Sequence, residues 1–304
     1  MRVSDSMITA SMVYRINRAS ERLFRVQEQA ASGLRFTTPS QDPAGAVRAA
    51  GLRSSVSEIE RYLANADIAD ARLRLSEVAV GQIADALREA RTLALAGMND
   101  GLDNTARTAL AAQVSQLSQV ILQAGNAHDG SRYLFAGQKL LAPPLQPNPT
   151  PPPPILFQGD QGPIPLHVGR GITVVSNLDG AELLNLAGAA DPALDDVFTT
   201  LEKLGAAIQQ RDQTAIEDGI VALDAHFSRV SALRGEIGAR MQRLDFDRDR
   251  LTETRMAAQT LLSETEGADL AEVIARLQQE QVAYQAAVAA SALLTRASLL
   301  NYLQ

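Results

Sequence analysis

The chain has 304 residues, 46% of them apolar but only 4% aromatic, with no Trp and a net charge of −7. That length admits one to three domains, and a chain without a basic surplus lacks the electrostatic footprint of a nucleic-acid binder. With no Cys, disulfides and thiolate metal sites are excluded. No stretch is apolar and long enough to span a bilayer. The first residues, charged at Arg2 and Asp5, carry no apolar core of a cleaved signal peptide.

Residues 6–31 place Ile8, Met12, Ile16, Ala19, Leu23, Val26 and Ala30 at spacings of three and four, which predicts one amphipathic helix ended by Ser32-Gly33. A loop over 33–42 follows. Asp42 before Pro43 reads as an N-cap with proline at the first helical position, where its missing N–H has no intrahelical partner. From there Leu52, Val56, Ile59, Leu63, Ala66, Leu73, Val80, Leu87 and Ala94 predict a helix to about Ala96, roughly 80 Å long at 1.5 Å per residue. Its heptad seam meets Asp70 and Glu77, so the stripe must drift there. A third helix is predicted over 105–124, and Arg132 to Gly137 reads as a short strand.

The middle of the chain changes character. Eight prolines between Pro143 and Pro154 argue against helix and sheet and for an extended segment. Short strands are expected at Ile155–Phe157, Ile164–Val168 and Ile172–Val175. Helices resume at about Pro192. A second very long helix is expected over Gln213–Ser263, with Arg234, Arg248 and Arg255 in seam slots, where they snorkel or pair across helices. A last helix runs from Leu270, after Gly267-Ala268-Asp269. The pattern is near-symmetric and folds back on itself. It predicts a mainly α fold, a long antiparallel helical bundle or coiled coil with the chain termini paired and a small β insertion at the far tip. The expected parts are 1–42 with 264–304, 43–137 with 191–263, and the insertion 138–190.

Catalytic signatures are missing from the sequence. It holds no phosphate-binding Gly-Lys loop, no Gly-x-Ser-x-Gly elbow and no His-Glu-x-x-His helix. His128, His167 and His226 stand alone and read as loop or helix-surface residues. Asp195-Asp196 fits the first turn of a helix, where it complements the macrodipole, better than a catalytic pair. The proline run reads as a spacer ahead of a ligand for an aromatic groove. No cofactor, metal or enzymatic activity is expected.

The terminal helices need company. They are thin and Ala-rich, and together they bury too little to offset ordering about 70 residues at roughly 1.5 kcal/mol each. Residues 1–35 hold six arginines against three carboxylates, net +3. Residues 264–304 hold two arginines against five carboxylates, net −3. Opposite signs favour their pairing, weakly. The candidate assembly interface is Ile8, Met12, Ile16 and Leu23 on the first helix. On the last it is Leu270, Ile274, Leu277, Tyr284 and Val288, with Leu299, Leu300, Tyr302 and Leu303 at its end.

These residues carry a resemblance. Met1-Arg2-Val3-Ser4, then Ala31-Ser32-Gly33-Leu34-Arg35 followed by Pro39-Ser40-Gln41-Asp42-Pro43, resemble the opening and first loop of the hook-associated protein 3 family (FlgL type) within the flagellin superfamily. Arg132-Tyr133-Leu134-Phe135-Ala136-Gly137, Gly238-Ala239-Arg240 with Leu244, Ala268-Asp269-Leu270-Ala271-Glu272 and Ser298-Leu299-Leu300-Asn301-Tyr302-Leu303 are similar to the rest of it, in the same order. Gln41 stands where the family often has a second Asp, and the proline run is a departure.

The resemblance implies a junction ring that adapts the flagellar hook to the filament. The terminal helices would line an inner tube, the long helices the next shell, and 138–190 the outside. It implies export through the flagellar type III pathway to the cell exterior. The implied partners are further copies of the chain, the neighbouring hook-associated junction protein, flagellin, and an export chaperone on the C-terminal helix. Neither nucleic acid nor membrane is among them. Flagellin is the competing reading within the superfamily. A helical signalling hairpin would lack a midpoint β insertion, and a wall hydrolase would need a catalytic insert that 138–190, with only Asp160, Asp179 and Glu182 as acids, does not supply.

Overall fold

The computed structural model describes residues 5–139 and 141–302, with the backbone alone described for 5, 6, 8, 9 and 294–302. Among them are seven α-helices and two small antiparallel sheets. The first helix, α1 (Asp5–Ser32), is followed by α2 (Pro43–Gly97) and α3 (Asn104–Gly125). Two hairpins come next, β1 (Leu145–Pro147) with β2 (Ile155–Phe157), and β3 (Pro165–Gly169) with β4 (Ile172–Val175). Then α4 (Gly180–Leu184), α5 (Val197–Gln210), α6 (Gln213–Glu266) and α7 (Leu270–Tyr302) complete the chain. The mainly α fold and the long helices agree with the sequence periodicity.

Two compact units are formed, Met1–Glu58 with Glu253–Gln304, and Ile59–Thr252. Both divisions fall inside the long helices α2 and α6 rather than at their ends. The physical difference between the units is burial. Among the described residues, 41 of the buried apolar ones belong to 59–252 and five (Ala19, Phe36, Ala49, Ala258 and Val273) to the other unit.

In the 59–252 unit, α2 and α6 run antiparallel, as their cross-pairs show. Arg234 meets Glu77 at 2.6 Å, Arg248 meets Asp67 at 2.7 Å, and Arg91 meets Asp224 at 2.7 Å. Asp70, in the seam of α2, takes Arg74 at 2.8 Å and Arg248 at 3.9 Å. Seam charges are thus neutralised across the pair. Behind them Leu73, Val80 and Leu87 of α2 join Val114 and Ile121 of α3, Leu201 and Leu204 of α5, and Ile216, Leu223 and Ile237 of α6 in one core.

Residues 138–190 share that core. Leu145, Val168, Val174, Leu178, Leu183 and Leu184 are buried in it. The proline run does hold a short strand: Leu145, Gln146 and Pro147 pair with Phe157, Leu156 and Ile155. A two-stranded sheet is all edge, and Pro147 sits at a strand end, so no ladder is broken. Conversely, Arg132–Gly137 is irregular apart from one bridge, His128 to Tyr133. Asp129 accepts the Arg132 N–H at 2.9 Å and bends the chain, and burial of Leu134, Phe135 and Ala136 satisfies the apolar run without a partner strand.

The helix after the insertion starts at Val197, not Pro192. Asp196 caps it, accepting from the N–H groups of Phe198 and Thr199 at 2.9 and 3.0 Å. Ahead of it, fully buried Asn185 sits at φ 54° and ties down the loop. Its side-chain oxygen accepts from the Asp191 N–H at 2.8 Å, and its amide donates to the Leu194 carbonyl at 2.7 Å. His226 is no surface residue either. It is fully buried, with Nε2 3.3 Å from Thr200 Oγ1. Burial, then the neighbouring Arg229 guanidinium, pushes its pKa down to about 4, so it is neutral at pH 7.

Candidate assembly surface

The other unit is built on α1 and α7. Ala268 donates its N–H to the Gly33 carbonyl at 2.9 Å, and Arg35 donates its N–H to the Glu266 carbonyl at 2.7 Å. Arg22 pairs with Glu280 at 3.1 Å. Residue numbers rise on one helix as they fall on the other, so the terminal helices are antiparallel. The chain's two ends are paired, as the charge asymmetry suggested.

The loop at the start of α2 is pinned locally. Asp42 accepts the Gly45 N–H at 2.9 Å and pairs with Arg35 at 2.8 Å. The Gly45 bond, with Arg35 beside it, holds the Asp42 carboxyl below its ordinary range. Gln41 accepts the Thr37 N–H at 2.9 Å, so the amide at this departure from the family pattern closes the turn itself. Arg53 pairs with Glu266 and fastens α2 to the end of α6.

The predicted interface residues divide into two sets. Met12, Ile16 and Leu23 of α1 and Leu277 and Tyr284 of α7 are half-buried, on the faces where the two helices meet around buried Ala19 and Val273. Leu270 and Ile274, each 52% exposed, and Val288 lie outside that seam. The side chains of Ile8, Leu299, Leu300 and Tyr302, and the whole of Leu303, lie outside the described residues.

Sequence reading missed a further set. Val13, Tyr14 and Phe24 of α1 and Val282 and Leu293 of α7 are exposed. A single-stripe search cannot find them, because they fall on the backs of helices whose first stripe is already assigned. This unit holds 12 of the 20 exposed large apolar side chains described, against five of the 46 buried apolar ones. The ratio is inverted relative to that of the 59–252 unit.

An open cleft of about 1000 Å³ runs between Ser20 and Phe24 of α1 and the Arg35–Asp42 loop. Arg25, Arg35, Glu21 and Asp42 line it, and Arg35 pairs with Asp42. Among the described residues no three His, Asp or Glu side chains are placed to hold a metal, and no helix is long and apolar enough to cross a membrane.

A long-helix body whose terminal helices pair and leave apolar faces uncovered is the architecture of an assembly subunit. The models for the bacterial flagellin N-terminal helical region, over residues 3–140, and C-terminal helical region, over residues 220–303, both match. The chain belongs to the flagellin family. Within it, the chain is 25% identical to flagellar hook-associated protein 3 of Salmonella typhimurium over 94% of each chain. It is 26% identical to flagellin of Clostridium tyrobutyricum over 46% of its own length and 36% of that protein's. The fold is similar to crystalline FlgL of Xanthomonas campestris, with a TM-score of 0.61 and 18% identity over 70% of this chain and 99% of that one.

Proposed function

We propose that the chain is a non-enzymatic structural subunit of the bacterial flagellum that forms the junction ring between hook and filament. One observation carries this reading. Its similarity to hook-associated protein 3 spans 94% of both chains, inserted middle included, whereas that to flagellin covers less than half. The uncovered apolar faces of α1 and α7 support an assembly role, since burying them in neighbouring copies contributes about 1.5–3 kcal/mol per large side chain.

In this reading the ring contacts a second hook-associated protein on the hook side and flagellin on the filament side. The subunit reaches the cell exterior by flagellar type III export, and a chaperone covers the C-terminal helix beforehand. The test is immunogold labelling of the tagged chain on isolated flagella. A single band at the hook–filament boundary is expected. Label along the whole filament would make the chain a flagellin instead.

A further inference from the structure

The buried apolar residues of the two long helices recur every seven residues on both sides. On α2 they include Ala66, Leu73, Val80 and Leu87, and on α6 Leu223, Val230, Ile237 and Leu244. The shorter helices keep the interval, with Val114 and Ile121 on α3, and Val197 and Leu204 on α5. Short turns join α2 to α3 and α5 to α6, so the 59–252 body is two α-hairpins packed on one core. Sliding one along the other by seven residues, about 10 Å, would set each apolar residue against the next of its kind. Strict heptads leave such registers close in energy, and polar side chains at single positions choose among them. The charge pairs across α2 and α6 reach solvent and choose weakly, at about 0.2–1 kcal/mol each. Arg255, one heptad past Arg248, would even take its place beside Asp67.

The β3–β4 strands touch both α-hairpins through bonds that do not repeat. Val168 and Val174 are buried in the common core. Toward α2, Asn65 Nδ2 donates to the His167 carbonyl at 2.8 Å, and Arg72 Nη1 lies 3.5 Å from Ser176 Oγ. Toward α6, Arg240 Nη1 donates to the carbonyls of Val175 and Asn177 at 3.3 and 3.0 Å. Seven residues either way from Arg240 stand Leu233 and Asp247. Leu233 has no donor, and an ionised Asp247 has only acceptor oxygens, which would repel the two carbonyls. At the turns, Arg211 donates to Asn104 and Gln213 to Asp100, but these side chains are exposed.

We propose that β3–β4 is the register key of this body, with Arg240 as the positioning residue that holds α5–α6 at one axial position against α2–α3. A slide of one heptad takes Arg240 away from both carbonyls. It also carries Glu266 about 10 Å from its partner Arg53. The insertion thus has a task inside the subunit, whatever it contacts outside. The inference does not depend on where in the flagellum the chain stands.

The chain has no Cys, so engineered pairs report cleanly. Arg91→Cys with Asp224→Cys reports the observed register, where the two side chains pair at 2.7 Å. Arg91→Cys with Ser231→Cys reports the slide that brings residue 247 to the place of 240, and Arg91→Cys with Glu217→Cys the opposite slide. A seven-residue offset is too long for a disulfide to bridge. The dilute full-length chain is oxidised mildly. With Arg240 present, only the Asp224 pair should close. Arg240→Ala should raise closure of the Ser231 pair severalfold, and Arg240→Lys should bring it back down. Arg240→Ala with Asp247→Arg moves the key by one heptad, and the Ser231 pair should then become the major disulfide. Absence of the Ser231 disulfide from both Arg240→Ala chains, folded or not, overturns the proposal. Equal closure of the Ser231 and Glu217 pairs overturns it too, because that is a loosened body and not a shifted one.

Discussion

Arg22 of α1 donates through Nε to both carboxylate oxygens of Glu280 on α7, at 3.2 and 3.1 Å, across 258 residues of sequence. The pair joins the two ends of the chain, but both side chains reach solvent. Exposed pairs contribute about 0.2–1 kcal/mol and fade with salt. Arg22→Glu should speed amide exchange at Leu23 and Leu277 in the dilute free chain, and Arg22→Glu with Glu280→Arg should restore it. The difference should vanish in 1 M salt. Equal exchange in the single and double variants would show that helix packing alone sets the register.

Ile274 and Leu277 separate two roles on one helix. Leu277 is half-buried toward α1, while Ile274 is half-exposed. Ile274→Asp should leave the α1–α7 pairing as it is and still block retention at the hook tip, because a charge in a closing interface is desolvated without a partner. Leu277→Asp should loosen the pairing as well, raising exchange at Leu23. Neither should lower the melting of the 59–252 unit. Flagellin leaking into the culture medium reads the assembly defect. Normal filaments on cells carrying Ile274→Asp would remove this face from assembly.

His226 predicts an acid limit. The unfolded chain takes up the proton below about pH 6.5, the folded chain only near pH 4. Stability from the buried neutral ring is therefore complete above pH 6.5 and is lost as pH falls toward 4, by at most about 3 kcal/mol. Chemical denaturation between pH 7 and 4 measures it. His226→Gln should flatten that part of the profile, whatever its stability at pH 7. An unchanged slope would mean that carboxylates alone set it.

Deletion of residues 140–180 tests whether the insertion is separable. An outer decoration would be removable with the body intact. Leu145, Val168, Val174 and Leu178 instead lie in the helical core, each worth about 1.5–3 kcal/mol of burial. The deletion should lose cooperative melting near the temperature of the full chain. Exposed Leu141→Ser should not shift it. Unaltered melting of the deletion would show that the helices hold without the hairpins.

Much of this protein is legible in sequence because helix period, caps and breakers act over a few residues. Asp42-Pro43 and Gly267-Ala268-Asp269 mark helix ends, and the 3.6-residue period carries α1, α2, α6 and α7 without help from distant contacts. Other features are decided only in three dimensions. Tyr133 to Ala136 has the composition of a strand but finds no partner strand, and Leu145 finds one despite its prolines. His226 lies inward because Thr200 and Asp195 come to it from elsewhere in the chain. The apolar stripes of α1 and α7 were visible as stripes. Which residues the chain covers itself, as with Leu277, and which it leaves bare, as with Ile274, depends on the antiparallel register of two helices some 250 residues apart in sequence. Local periodicity names a face, and only packing says what, if anything, stands against it.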